Sequence, residues 1–102
     1  MPTRSPRDTL APIQQYLERE FPDRVRRTWW EKRTRVHVFE VSHGTVLHQV
    51  HVTAAFLEAC PDYGAGLRDS ELADYMREAR SHARRFTVVW EGGMVRIRSQ
   101  SL

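Results

Sequence analysis

One cysteine and one lysine occur in 102 residues, and each scarcity excludes something. A lone Cys60 rules out an internal disulfide and a zinc site built on several thiolates. Its place at the end of the apolar turn "TAAFLEAC" predicts a buried thiol that packs as a small hydrophobe. No apolar run approaches the ~18 residues that a membrane helix needs. The opening "MPTRSPRD" has no apolar segment of the secretory kind, so the expected location is cytoplasmic. There is no glycine-rich phosphate loop. The serines singled out, Ser42, Ser70 and Ser81, fall in a turn, at a helix cap and on a polar helix face. Glu40 with His48 or His51 is the best acid–base pair on offer, and any sheet of this size would supply one. The expectation is therefore a protein that is not an enzyme.

Five histidines invite a metal. The alternation places His37 and His48 on one face of adjacent strands, in diagonal reach of each other. His51 points to the other face. Two histidines without a third ligand do not make a zinc site, so no metal and no cofactor are expected.

What the chain has in quantity is arginine. Fifteen of the sixteen cations are arginine, the net charge is +3 and the pI is about 9.6. A guanidinium's planar fork suits phosphate and carboxylate. Five arginines and Lys32 surround Trp29 and Trp30 in "RVRRTWWEKRTRVHVF", residues 24–39.

Length and composition fit one domain. Residues 1–7 read as a frayed tail and 8–102 as the domain. Leu10, Ile13, Leu17 and Phe21 recur at helical spacing, with Asp8 or Thr9 as cap, Pro12 in the first turn and Pro22 as the stop. Three strands follow, over 25–30, 35–41 and 46–52, joined by "EKRT" and "SHGT", where Gly44 can supply a positive φ. "TAAFLEAC" is a short helix with Thr53 as its cap. "PDYGAGLRD" reads as a loop. "SELADYMREARSHARRF" reads as a long helix capped by Ser70, its acids early and Arg84 and Arg85 late. "FTVVWEGGMVRIRS" is a hairpin about Gly92–Gly93. The result is an α+β domain in the order α-β-β-β-α-β-β, with an antiparallel sheet of about five strands and helices on one face. That order is similar to the order in small secretion chaperones, which dimerise and hold an effector. The basic charge of this chain departs from the acidic character usual in that family.

Cross-strand partners share a face. Phe86, Val88, Trp90, Val95 and Ile97 make the core face of the last hairpin. In the meander, Phe39, Val41, Val46, Val50 and Val52 make it. If "EKRT" is a four-residue loop, Trp29 sits opposite Val36 and Arg27 opposite Val38, away from the helices. The face left over then carries Arg27, Trp29, Arg96 and Arg98 among aliphatic residues, beside Arg33 of the first turn and Arg35 at the start of the second strand. Cations around an aromatic platform predict nucleic-acid binding. The same residue types are enriched at protein hot spots, so the alternative is a protein-binding module. A chaperone, inhibitor or immunity-type factor would dock on an acidic partner, as a monomer or as a homodimer.

Overall fold

An amphipathic helix must cover its apolar stripe, and the first helix lays that stripe on a sheet. The computed structural model describes residues 6–22, 24–43, 45–60, 62–79 and 81–102. Its elements are α1 (Pro6–Glu20), β1 (Val25–Glu31), β2 (Val36–His43), β3 (Val46–Thr53), α2 (Ala54–Ala59), α3 (Tyr63–Ser70), α4 (Leu72–Glu78), β4 (Arg84–Glu91) and β5 (Met94–Ser101). Leu10, Ile13, Leu17 and Phe21 are all buried. They join Phe56 of α2, Leu67 of α3 and Leu72 and Met76 of α4 in one core cluster. Its strand members, Phe39, Val41, Val50, Val52, Phe86 and Val88, all come from the predicted core face. Helices on one face of a five-stranded sheet make this an α+β fold.

The tail expected over residues 1–7 is shortened, because α1 already includes Pro6 and Arg7. α1 starts ahead of Asp8 and Thr9, so neither is its cap; residues 1–5 and the turn glycine Gly44 lie outside what the structure describes.

Strand order is β1-β2-β3-β4-β5. Three of the four pairings are antiparallel, in keeping with the expected antiparallel sheet, and the fourth, β3–β4, is parallel. The chain crosses back over the core through α2, α3 and α4 before β4 begins, and a crossover is what a parallel pair requires.

Two registers differ from the sequence reading by two residues. Trp29 lies opposite Val38 and Arg27 opposite Glu40. Val41 lies opposite His48 and Phe39 opposite Val50. The first turn runs over residues 32–35 rather than 31–34, with Arg35 at φ 56 closing it. A shift of two keeps every side chain on its predicted face, since strand faces alternate with period two. It does separate His37 from His48. The β4–β5 hairpin has the expected register, Glu91 to Met94 and Val88 to Ile97. Trp90, predicted to be buried, is half-buried and packs at the margin of the core.

The helical region departs furthest. The predicted loop over 61–69 contains α3. Asp62 caps it, accepting from Ala65 N at 3.0 Å. Gly66 belongs to α3 because its bare Cα lets the helix approach Cys60 and Phe56. The predicted long helix over 70–86 shrinks to α4. Glu71, at φ 60, breaks the path from α3 into α4. Ser70, expected as the cap, is instead the last residue of α3, and Glu71 takes the N-cap position of α4; the Ser70 hydroxyl bridges the break, donating to Leu67 O at 2.6 Å and accepting from Leu72 N at 3.3 Å. Arg84 and Arg85, placed late in that helix by the sequence reading, start β4 instead. The β-branched run that follows pairs with β3, and that pairing outweighs helical periodicity.

Candidate binding face of the sheet

Two rows of side chains cross the face opposite the helices. One row runs Trp29, Val38, His51, Thr87, Arg98. The next runs Arg27, Glu40, Gln49, Arg85, Gln100. Each step is one strand spacing, about 4.8 Å, so a row spans about 19 Å. Val36 and Val38 are buried on this face, outside the helix-side cluster. Val38 lies between Trp29 on one neighbouring strand and His51 on the other.

The charges on this face are partly spent on one another. The Arg27 guanidinium lies over the Trp29 ring, 5.0 Å from its centroid. It also donates to Glu40 from Nε and Nη2, at 3.3 and 3.2 Å. Glu40 is buried, and this fork-to-carboxylate contact is its compensation. At the other edge Arg98 donates to Glu91. Arg96 is exposed, near the sulfur of Met94.

Arg27 and Trp29 therefore sit on β1 at one edge, and Arg96 and Arg98 on β5 at the other. Arg33 stands exposed in the β1–β2 turn. Arg35 turns away from this group, with Nη2 3.8 Å from Glu58 of α2. The six arginine and tryptophan positions proposed from sequence are thus not one cluster. Four share the face in two pairs, Arg33 borders it, and Arg35 leaves it. Trp30, as expected, falls on the helix side, yet it is 45 % exposed at the sheet edge.

Between the pairs lies a group that the sequence reading missed. Glu31, Arg33, His51, Arg85 and Thr87 line a recess of about 580 Å³. His51 Nε2 meets Gln49 Oε1 at 2.9 Å. Burial holds the His51 pKa below its ordinary value of 6.5, and the Arg85 charge adds to that, while Glu31 opposes it. Arg85 was hidden by its assignment to a helix. Carrying the alternation Glu91, Val89, Thr87 one step further back would have placed it here.

The other histidines have separate duties. His37 Nε2 meets Thr28 Oγ1 at 2.5 Å, and burial lowers its pKa. His48 is fully buried, with Nε2 at 3.2 and 3.0 Å from the carbonyls of Ala79 and His82. Both partners accept, so Nε2 carries the proton, and His48 ties β3 to the end of α4. His37 lies opposite Val52 and His48 opposite Val41, so the diagonal pair expected from sequence does not form. Among the described residues no three of His, Cys, Asp and Glu converge as metal ligands would. No described helix is long and apolar enough to cross a membrane.

No family model, no curated protein and no solved structure matches the chain.

Proposed function

We propose that this is a non-enzymatic, cytoplasmic binding protein that holds single-stranded nucleic acid against the open face of its sheet. The row Trp29, Val38, His51, Thr87, Arg98 carries the reading. It sets an aromatic ring, two hydrogen-bonding groups and a cation in line, with Arg85 beside it and Arg33 at its margin. Bases stack on aromatic rings whatever their sequence, and guanidiniums follow the phosphates. An extended strand of three or four nucleotides is about as long as the row.

Fluorescence anisotropy with single-stranded and duplex oligonucleotides at two salt concentrations tests this. Trp29→Ala should weaken single-strand binding by about 1–3 kcal/mol with little change in salt slope. Arg33→Ala or Arg96→Ala should weaken all sequences alike and lower the slope by about one unit. Affinity no tighter than ~100 μM at physiological salt, unchanged by Trp29→Ala, would remove the reading.

A second reading has its own observation. Arg27 and Arg98 are already paired with Glu40 and Glu91, so the face is of mixed sign. Mixed charge around an aromatic and buried aliphatics suits a protein partner better than a polyanion. In that case the same face docks an acidic protein, by a monomer or a homodimer of this chain. Capture of such a partner would be lost in Trp29→Ala, while affinity for DNA and RNA stayed weak and indiscriminate.

A further inference from the structure

A guanidinium partly withdrawn from water calls for an anion. Arg85 is half-buried on β4, and its Nε is buried with no acceptor in reach. Ion pairs among the described residues engage Arg27, Arg35, Arg77 and Arg98, and none engages Arg85. Glu31 lines the same recess, yet it makes no ion pair with Arg85 or Arg33. The other groups lining the recess are mostly donors. Arg33 brings a second guanidinium from the β1–β2 turn, and Thr34 and Thr87 bring hydroxyls. The recess opens onto the sheet face, so a ligand can enter from solvent.

We infer that this recess is a binding site for a tetrahedral oxyanion, a phosphate or sulfate group, held by Arg85 with Arg33 and the Thr87 hydroxyl. The site stands whether or not the nucleic-acid reading does. A backbone phosphate and a free phosphate-bearing small molecule offer the same chemistry.

His51 makes the site pH-dependent. The groups around it are Gln49 on its own strand, Val38 on β2, Arg85 and Thr87 on β4, Glu31 on β1 and Arg33 in the turn. Without a ligand, burial and Arg85 hold the ring neutral at pH values where an ordinary histidine begins to charge. A bound dianion offsets the Arg85 charge and favours the imidazolium. By linkage, the anion must then bind more tightly as pH falls.

Sulfate is the probe, because it stays dianionic across the range in which histidine titrates. The full chain is titrated with sodium sulfate at constant ionic strength, and the His51 ring resonances are followed by NMR. Saturable binding, tighter at about pH 5.5 than at about pH 7.5, with an upward move of the His51 midpoint, is the expected result. Arg85→Gln should weaken binding about tenfold or more, the loss expected for a charge-assisted contact. Glu31→Gln should tighten it, since it removes the carboxylate in the recess. A folded Arg85→Gln protein that binds sulfate as well as the parent does would overturn the site. If Arg85→Gln fails to fold, Glu31→Gln decides, and unchanged or weaker binding there overturns it equally. Competition separates the two sources. Sulfate that displaces a bound oligonucleotide supports the site as one for a backbone phosphate. Sulfate binding without oligonucleotide binding supports it as one for a small molecule, and the nucleic-acid reading alone then fails.

Discussion

Gly66 occupies a place with no room for a side chain. A Cβ there would lie 2.7 Å from Cys60 Sγ and 3.2 Å from the Phe56 ring. Cys60 is itself held, donating to Asp62 O at 3.2 Å, and Phe56 is fully buried. Gly66→Ala should therefore destabilise the protein by about 1–3 kcal/mol, the usual cost of overpacking, seen as a lower urea midpoint with unchanged slope. A midpoint equal to the parent's would mean that Cys60 moves aside freely. Arg27 poses a different question at the same scale. Arg27→Ala removes an exposed cation, but it also leaves the buried Glu40 carboxylate without its partner. A stability loss of about 1 kcal/mol is expected, so any binding defect in this variant must be read against the fold. Arg33→Ala and Arg96→Ala are cleaner probes, because neither residue has an ion pair among the described residues. Composition and alternation were enough to bring Trp29 to the right face. The partners that Arg27 and Arg98 take were not readable, since they depend on which carboxylates the register sets nearby.

Turn chemistry and packing govern the elements differently. Gly92 and Gly93 both adopt positive φ, 60° and 78°, the pattern of a tight hairpin turn, which glycine accepts without strain. Nothing lies near either Cα, so a methyl group would meet no clash and the backbone alone would resist it. Gly92→Ala is expected to cost about 1–2 kcal/mol on that ground, measurable by thermal or urea unfolding. A loss as large at an exposed, ordinary position such as Gln100 would show that the measurement does not report turn strain. This hairpin was legible residue by residue, because strict alternation and a two-glycine turn fix a register locally. The α3–α4 region was not. Two glycines and a proline read as a loop, yet burial of Leu67 and the close approach at Gly66 make a helix there. The stretch from Ala79 to Phe86 kept a helical rhythm in sequence. Its last residues, from Arg84 on, start a strand because β3 offers a free edge that Gln49–Val52 present to Arg85–Val88. Local pattern cannot report an edge contributed from more than thirty residues away. The missed strand start cost the sequence reading Arg85, and with it the recess.

Over the whole molecule, two histidines set how stability responds to acid. Burial lowers the pKa of His37, and burial with the Arg85 charge lowers that of His51. In the unfolded chain both titrate near the ordinary histidine value of about 6.5. Below that value the unfolded state takes up protons that the folded state resists, so the proton balance favours unfolding. The stability contributed by these neutral rings is present in full above about pH 6.5, and is lost as pH falls from there through the depressed folded values. The urea midpoint should accordingly drop between about pH 7.5 and about pH 5.5, a window above the carboxylate range. A double His37→Gln, His51→Gln variant should flatten that drop. A midpoint that holds or rises on acidification would contradict the direction for both rings. Sulfate adds a discriminating arm. If the recess binds an oxyanion that favours the charged His51, saturating sulfate should reduce the acid-induced drop in the parent. It should leave the drop contributed by His37 untouched, because Thr28 and His37 lie on the helix side of the sheet. In Arg85→Gln, sulfate should lose this specific effect, leaving only the general strengthening of the fold that sulfate gives to any protein.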